Sequence, residues 1–468
     1  MKRRRSPKPL ALPNQSLGRS HQERYTEGKH LRESCSRAAQ GQWKFRSRRE
    51  DPIAILLRAS RGGLKPLLPI RYGRMMANPF AFFRGSACLM AHDLAQLSHT
   101  RIHVVACGDS HLMNFGGFAT PERRLIFDIN DFDETSVAPW EWDVKRLAAS
   151  LVIAGRHNDF KEDDSREAAW WAAHSYRENM LRYAEMGVLE AYYEYIDLEE
   201  LIGSLSSEDI KRLYRKRLKR ATSKGAHELE FSKLAFQAGK NPRIIDNPPL
   251  IYHHHDIQRE KEFYFAAEQR LAQYGKSLAP ERRLLLDRYR LVDFAFKVVG
   301  IGSVGLDCGI ALLISGNGDP LFLQIKEARR SVLEPYCGAL PFQQHGERVV
   351  VGQRIMQAAS DLFLGWFRAG ERHYYVRQLR DATIKPVVET MRPRDLKIFA
   401  RFCGWALARA HKRSGDSVKL SGYMGKNERF EDAIALFAGR YADQNARDYK
   451  ALLAAIRSGR VEAEKPGE

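Results

Sequence analysis

The sequence predicts an α+β fold of two lobes in circularly permuted order, with extra helices added, and three observations carry that prediction. The first is a polar loop, Gly108-Asp109-Ser110-His111-Leu112-Met113-Asn114, followed by an apolar strand over 124–129 that ends in Asp131-Phe132-Asp133. The second, far downstream, is a glycine-rich turn after an apolar stretch: Val299-Gly300-Ile301-Gly302-Ser303-Val304-Gly305. The third is a second apolar stretch over 321–328 with one lysine, Lys326, near its end.

The loop and strand supply what phosphoryl transfer from a nucleotide needs. Asp109 can orient or deprotonate an attacking hydroxyl. Asn114 and Asp131 can hold Mg²⁺ against phosphate oxygens, with Asp133 a further candidate ligand. The turn over 108–114 puts Asp109 and Asn114 in one loop, and the strand brings Asp131 back beside them. Gly300, Gly302 and Gly305, with Ser303, let backbone N–H groups approach phosphates. Lys326 sits at a strand end, as does the lysine that grips nucleotide phosphates in kinases. Its partner is left open between Glu347 and Gln353.

In ordinary kinases the glycine turn and lysine precede the catalytic loop; here they follow it. After Lys326 the remaining parts continue in order. Residues 347–367 read as an amphipathic helix, 374–379 as a strand leading to a hinge, and 402–411 as the helix that precedes a catalytic loop. The parts are in cyclic order but the chain starts in the middle, so the expected fold is kinase-like and circularly permuted. Permutation asks only that the new termini lie at the surface.

The other elements follow from local pattern. Helices are expected from residue 51, over 87–97, and over 143–154, where Val144, Leu147, Ala148, Leu151 and Val152 recur at helical spacing behind Asp143. Residues 102–106 read as the strand entering the loop. Residues 163–240 read as mostly helical, Asn241-Pro242 and Asn247-Pro248-Pro249 as loops. The chain then divides into a basic leader (1–50), a catalytic-loop and helical lobe (51–280), a nucleotide lobe (281–385) and C-terminal helices returning to the catalytic lobe (386–468).

Composition bounds the class. With 468 residues, 44% of them hydrophobic, the chain can bury a large core. It lacks an apolar run of about 18 residues and a signal-peptide core, so a cytoplasmic protein without membrane insertion is expected. Six cysteines without a Cys-x-x-Cys argue against a zinc ribbon or disulfide scaffold, and Cys107 reads as a small buried residue. His253-His254-His255 reads as a loop, because adjacent histidines face different ways. The net charge is +19, and residues 1–50, with 14 Lys/Arg and 4 Asp/Glu, hold +10 of it. That leader is expected to be largely disordered. A solubilising tail is favoured for it over a nucleic-acid arm. Arg71, Arg74 and Arg84, just ahead of the catalytic strand, suit either an acidic substrate or core carboxylates.

The loop resembles that of aminoglycoside and choline phosphotransferases, His-Gly-Asp-x-His-x-x-Asn, with an Ile-Asp-Phe-x-Asp strand end and a later Asp-Leu-Ala. The matches are Gly108, Asp109, His111 and Asn114, then Asp131 and Phe132, then Asp143; Cys107 replaces the leading His, and Glu134 the last Asp of the strand end. Over nearly its whole length the chain looks like the bacterial family called domain of unknown function 2252. Pro69-Ile70-Arg71-Tyr72-Gly73-Arg74-Met75, Phe80-Ala81-Phe82-Phe83-Arg84-Gly85, Trp140-Glu141-Trp142-Asp143 and Gln324-Ile325-Lys326-Glu327-Ala328 carry that likeness.

The resemblance implies an ATP- and Mg²⁺-dependent phosphotransferase acting on a hydroxylated acceptor, first of all a small molecule, with Asp143 bracing the metal-binding turn. A nucleotide-binding pseudokinase and a nucleotidyl (AMP) transferase are the alternatives.

Overall fold

The computed structural model describes residues 18–464, apart from 44–48, 223–230, 232–233, 239–240, 254–256, 299, 339 and 380–383. Four short strands precede the long helices: β1 (His103–Ala106), β2 (Phe115–Ala119), β3 (Leu125–Ile129) and β4 (Ser136–Pro139). Strands β1 and β4 pair antiparallel, and β2 and β3 form a hairpin flanked by β5 (Ile196–Asp197). The polar loop joins β1 to β2, and residues 130–135 join β3 to β4. Both therefore emerge at one end of these pairs.

A small antiparallel pair follows, β6 (Ala235–Ala238) with β7 (Asn241–Ile244). The expected loop at Asn241-Pro242 is thus an edge strand, which tolerates a proline because its outer side needs no N–H donor. The largest sheet is built from β8 (Ile251–Tyr252), β9 (Tyr289–Lys297), β10 (Cys308–Ser315), β11 (Pro320–Ala328), β12 (Gly365–Ala369) and β13 (Arg372–Gln378). Its order is β12-β13-β11-β10-β9-β8, antiparallel throughout. The two-residue period of β11 divides its side chains. Leu321 and Leu323 join one cluster with Phe363, Phe367 and Val376, while Phe322 joins another with Ile310 and Leu312. Lys326 shares the parity of Phe322 and Gln324. The register sets Lys326 opposite Tyr375 and Gln324 opposite Arg377, so these four side chains belong to one face.

The main core is helical. Helices Trp140–His157, Glu162–Glu185, Pro393–Lys412 and Arg429–Arg457 pack around Trp140, which is fully buried and stacks on Tyr176 with ring centroids 5.4 Å apart. Leu147, Leu151 and Val152 face this core as the helical spacing requires, each worth ~1.5–3 kcal/mol of apolar burial. No helix among the described residues is long and apolar enough to cross a membrane.

Two further expectations need correction. Within the leader, residues 1–17 and 44–48 lie outside the described residues, but His21–Ser34 is a helix rather than disordered chain. A capping box between Ser20 and Glu23 starts it, and Arg32 donates to the carbonyls of Gly422 and Tyr423. Its polar composition hid it, because contact with another helix holds it in place of an apolar stripe. The helix expected over 347–367 is His345–Met356, and residues 365–369 are strand β12. Gln357 ends it with extended backbone, while its side chain donates to the Ile129 carbonyl at 2.7 Å. His253 is buried between Asp246 (2.8 Å) and Asp293 (3.2 Å); His254 and His255 lie outside the described residues.

Candidate active site

The polar loop is held from below by the helix Trp140–His157. The carboxylate of Asp143, in its first turn, accepts from the backbone N–H of Cys107 (2.6 Å) and of Gly108 (2.9 Å). Further along, the Ser150 hydroxyl accepts from the Leu112 N–H at 2.9 Å. The ring of His411 lies 3.1 Å from Asp143 through Nε2 and 2.9 Å from the Tyr176 hydroxyl through Nδ1. All three partners are buried, so this chain of polar contacts fixes the loop in a low-dielectric setting. Position 108 must be glycine: its φ is +83°, and a Cβ there would stand 2.2 Å from the Glu134 carbonyl oxygen.

Asp109 follows at once. Its Oδ1 accepts from Arg146, 2.9 Å from Nε and 2.8 Å from Nη2, while its Oδ2 lies 3.9 Å from His111 Nε2. Burial raises the Asp109 pKa above the usual carboxylate value, and Arg146 only partly offsets this. Asn114 donates from Nδ2 to the Asp109 carbonyl at 2.7 Å, so Oδ1 is the atom of its amide that could take a cation.

The strand end brings Lys326 to the loop. Its ammonium pairs with Asp133 and lies 3.9 Å from Asp131 Oδ2. Burial alone would lower the pKa of this lysine, but Asp131 and Asp133 outweigh it and hold the group well above its ordinary value. Asp133 responds in the opposite sense: burial raises its pKa, but Lys326, Tyr375 and Arg377 together outweigh it, and the net shift is downward. The Tyr375 hydroxyl donates to Asp133 at 2.7 Å, and Arg377 donates to the Asn130 carbonyl at 3.2 Å. From the helix His345–Met356, Arg348 donates to the carbonyl of Asp133 at 2.7 Å and to that of Thr135. The six-stranded sheet and residues 130–135 are thereby locked together.

The glycine turn lies between β9 and β10. Its end adjoins Lys326, since Cys308 pairs with Lys326 across the strands. Gly305 has φ +94° and accepts from the Leu64 N–H at 2.8 Å, while a Cβ at Gly300 would meet nothing within 4 Å. A Cβ on Gly302 would meet only the Arg84 carbonyl oxygen, at 3.9 Å. Val299 and the side chain of Ser303 lie outside the described residues. Of the three arginines left open by the sequence, Arg71 donates to the Gly85 carbonyl at 3.1 Å, and the charge of Arg84 acts on Asp109.

Neither Glu347 nor Gln353 partners Lys326: Gln353 donates to Gln357, and Asp133 is the counter-ion. Asp133, a candidate metal ligand, has one oxygen on Lys326 and the other on Tyr375. Its first role is therefore to seat the lysine. Among the described residues no three His, Cys, Asp or Glu side chains cluster as an all-protein metal cage. Asp131 and Asn114 Oδ1 instead fit the mode in which Mg²⁺ takes one or two protein oxygens and completes its shell with phosphate and water. Cys107 is a buried thiol whose Sγ donates to the Asp131 carbonyl at 3.2 Å. The apolar cavity bounded by Phe127, Leu198, Tyr214, Ile384 and Phe399 holds none of these residues.

The sequence reading missed Arg146, Tyr375 and Arg377. Arg146 had a signal: it lies three residues beyond Asp143, on the same helix face, amid an apolar stripe. The other two depend on strand register, which no local pattern revealed. No curated protein and no solved structure matches the chain. The profile of a family described as an uncharacterized protein conserved in bacteria, domain of unknown function 2252, matches residues 62–455, and the chain belongs to that family.

Proposed function

We propose that the protein transfers a phosphoryl group from ATP to a hydroxyl acceptor, on a kinase-like fold whose chain order is circularly permuted. One observation carries the reading: Lys326 meets Asp133, 193 residues earlier in the chain, and Asp131, beside the loop of Asp109 and Asn114. The order of parts supports it. Counting from β9, the glycine turn follows the first strand and Lys326 lies on the third, the strand that bears the phosphate-binding lysine in protein kinases. The helix Pro393–Lys412 then returns to the catalytic loop, where His411 meets Asp143.

The chemistry assigned to the chain is positioning plus charge. Arg146 fixes Asp109 through one oxygen and leaves Oδ2 for the acceptor hydroxyl. The hydroxyl oxygen bonds to the γ-phosphorus as the bond from that phosphorus to the β–γ bridging oxygen breaks, the hydroxyl proton passes to Asp109, and ADP leaves. The raised pKa of Asp109 makes it a better proton acceptor than an ordinary carboxylate. Lys326, already charged and seated, holds phosphate oxygens, and the glycine turn offers N–H groups to them. Asp131 and Asn114 would hold Mg²⁺, which neutralises triphosphate charge when bound.

Incubation with Mg²⁺ and α- or γ-labelled ATP tests the reading. Release or transfer of the γ label is expected, with Asp109→Asn lowering kcat by about 10²-fold and leaving KM within a few-fold. Transfer of the α label would make the protein a nucleotidyl transferase. Binding without movement of either label, across a screen of extract metabolites as acceptors, would make it a nucleotide-binding module.

A further inference from the structure

Residues 83–85 run between the Asp109 loop and the glycine turn. On one side the Phe83 carbonyl accepts from Arg146 at 2.7 Å, the guanidinium of Arg146 lies 3.8 Å from the centre of the Phe83 ring, and Arg146 in turn holds Asp109. On the other side a Cβ on Gly85 would meet Ile301 at 2.9 Å, and one on Gly302 would meet the Arg84 carbonyl at 3.9 Å. Arg84 is thus placed at the junction of the proposed base and the proposed phosphate turn.

Its guanidinium is unspent. Arg84 makes no ion pair with any described residue, its Nε is buried without a hydrogen-bond partner, and its nearest ring, Phe80, is 6.0 Å from Cζ. Two carboxylates act on it through space. Asp109 is already engaged by Arg146, and Glu389 is exposed. Lys385 is exposed, and the first charged group to act on it is Asp131, so it belongs with the nucleotide side. His111, buried beside Asp109, is kept neutral by its burial and then by Arg84 and Arg146, and its Nδ1 has no partner. The nucleotide side has its own cations, Lys326 and Arg377, which Asp131 and Asp133 already balance in part. Among the described residues, Arg84 is the cation left over on the side of Asp109.

We infer, resting on the phosphotransferase reading, that the acceptor is itself an acid, a hydroxyl compound bearing a phosphate or carboxylate group that Arg84 holds beside Asp109. A guanidinium fork suits either oxyanion, and a cation opposite the base sets the distance from anionic group to hydroxyl. A polyamine acceptor such as an aminoglycoside would instead meet like charge there. The site therefore departs from what the resemblance to aminoglycoside phosphotransferases implies for the acceptor.

The test uses the full chain loaded with Mg·AMPPNP, so that the γ-phosphate position is filled, and titrates it with inorganic phosphate or with acetate. Wild type should bind at least one of them, and the one it binds names the oxyanion. Arg84→Gln should weaken that binding about tenfold or more, and Arg84→Lys less than Arg84→Gln. The affinity for Mg·AMPPNP should stay within about twofold in both. No binding of either anion, unchanged binding in Arg84→Gln, or a matching loss of AMPPNP affinity would overturn the inference. Should Arg84→Gln fail to fold, unchanged binding in Arg84→Met overturns it. Failure of wild type to bind Mg·AMPPNP would sink the phosphotransferase reading instead. The same titration of the unloaded variants would then keep the oxyanion site, if Arg84→Gln weakens binding, or remove it.

Discussion

The loop of Asp109 and the glycine turn of Gly302 both abut residues 83–85, yet they are built in opposite ways. The loop is buried and over-determined. Its backbone N–H groups are taken by Asp143 and Ser150, its entry demands a glycine at 108, and its neighbour Asp128 is held by Arg409 at 2.7 Å with both residues fully buried. The turn is sparsely contacted: nothing lies within 4 Å of a Cβ at Gly300, and only one carbonyl within reach of Gly302. In the proposed reaction a base must stand within hydrogen-bond reach of its proton, and a rigid loop would hold it there. A turn that receives phosphates through backbone N–H groups has no need of side-chain packing, and open space above it is the space a ligand would take.

The contrast predicts where mutations hurt. Asp143→Ala would strand two N–H donors and His411 in a buried setting, so a stability loss of about 3–5 kcal/mol is expected in urea unfolding. A loss under about 1 kcal/mol would show that the loop is held otherwise. Next in size is Glu134, whose carboxylate accepts from the Val332 N–H at 2.7 Å and whose pKa burial pushes up from 4.5 to about 7. Between those values the folded state binds more protons than the unfolded one, so stability falls as pH rises from about 4.5 to about 7. The full effect is about 3 kcal/mol at most, since the residue is only partly buried. Glu134→Gln keeps the acceptor and removes the charge. Its melting temperature should exceed that of wild type at pH 8, with the advantage fading toward pH 5. An advantage independent of pH would exclude this titration as its cause.

Between these extremes lies Asp131, part-exposed and shared by the loop and Lys326. Asp131→Asn should weaken Mg·ATP binding about tenfold or more in calorimetry, because a hard cation prefers a charged oxygen. Equal affinity in mutant and wild type would remove it as a ligand.

The same contrast explains what was legible in the sequence. Asp109, Asn114 and Asp131 lie within one loop and strand, where spacing alone sets proximity. Asp143 announced itself as an acidic residue at a helix start. Lys326 could be placed on a strand, but its counter-ion could not: Asp133 and Tyr375 reach it through strand register and long-range packing, whereas the kinase-like order of parts suggested Glu347 or Gln353. The helix His21–Ser34 was hidden for a related reason. A Cβ on Gly28 would stand 2.0 Å from the Lys419 carbonyl oxygen, so a close backbone approach, rather than an apolar stripe, seats that helix. Composition can only read such a segment as a tail.

The smallest effect on the fold is the sharpest test of the open turn. Gly302 has a backbone conformation outside the left-handed region, and a Cβ there would make one ordinary contact. Gly302→Ala should therefore change stability by no more than about 1 kcal/mol, with the gain from a stiffer unfolded chain offsetting any loss. Affinity for Mg·ATP is a separate matter. If phosphates approach the backbone at this turn, the added methyl group stands in their way and should weaken binding by about three- to tenfold, read by calorimetry beside the melting temperature. Gly18, with nothing within 4 Å and far from the turn in sequence, provides the control: Gly18→Ala should leave affinity unchanged, whatever its φ of +87° costs locally. Unchanged melting together with unchanged affinity in Gly302→Ala would detach the glycine turn from the nucleotide, leaving Lys326 and Asp131 to account for binding without it.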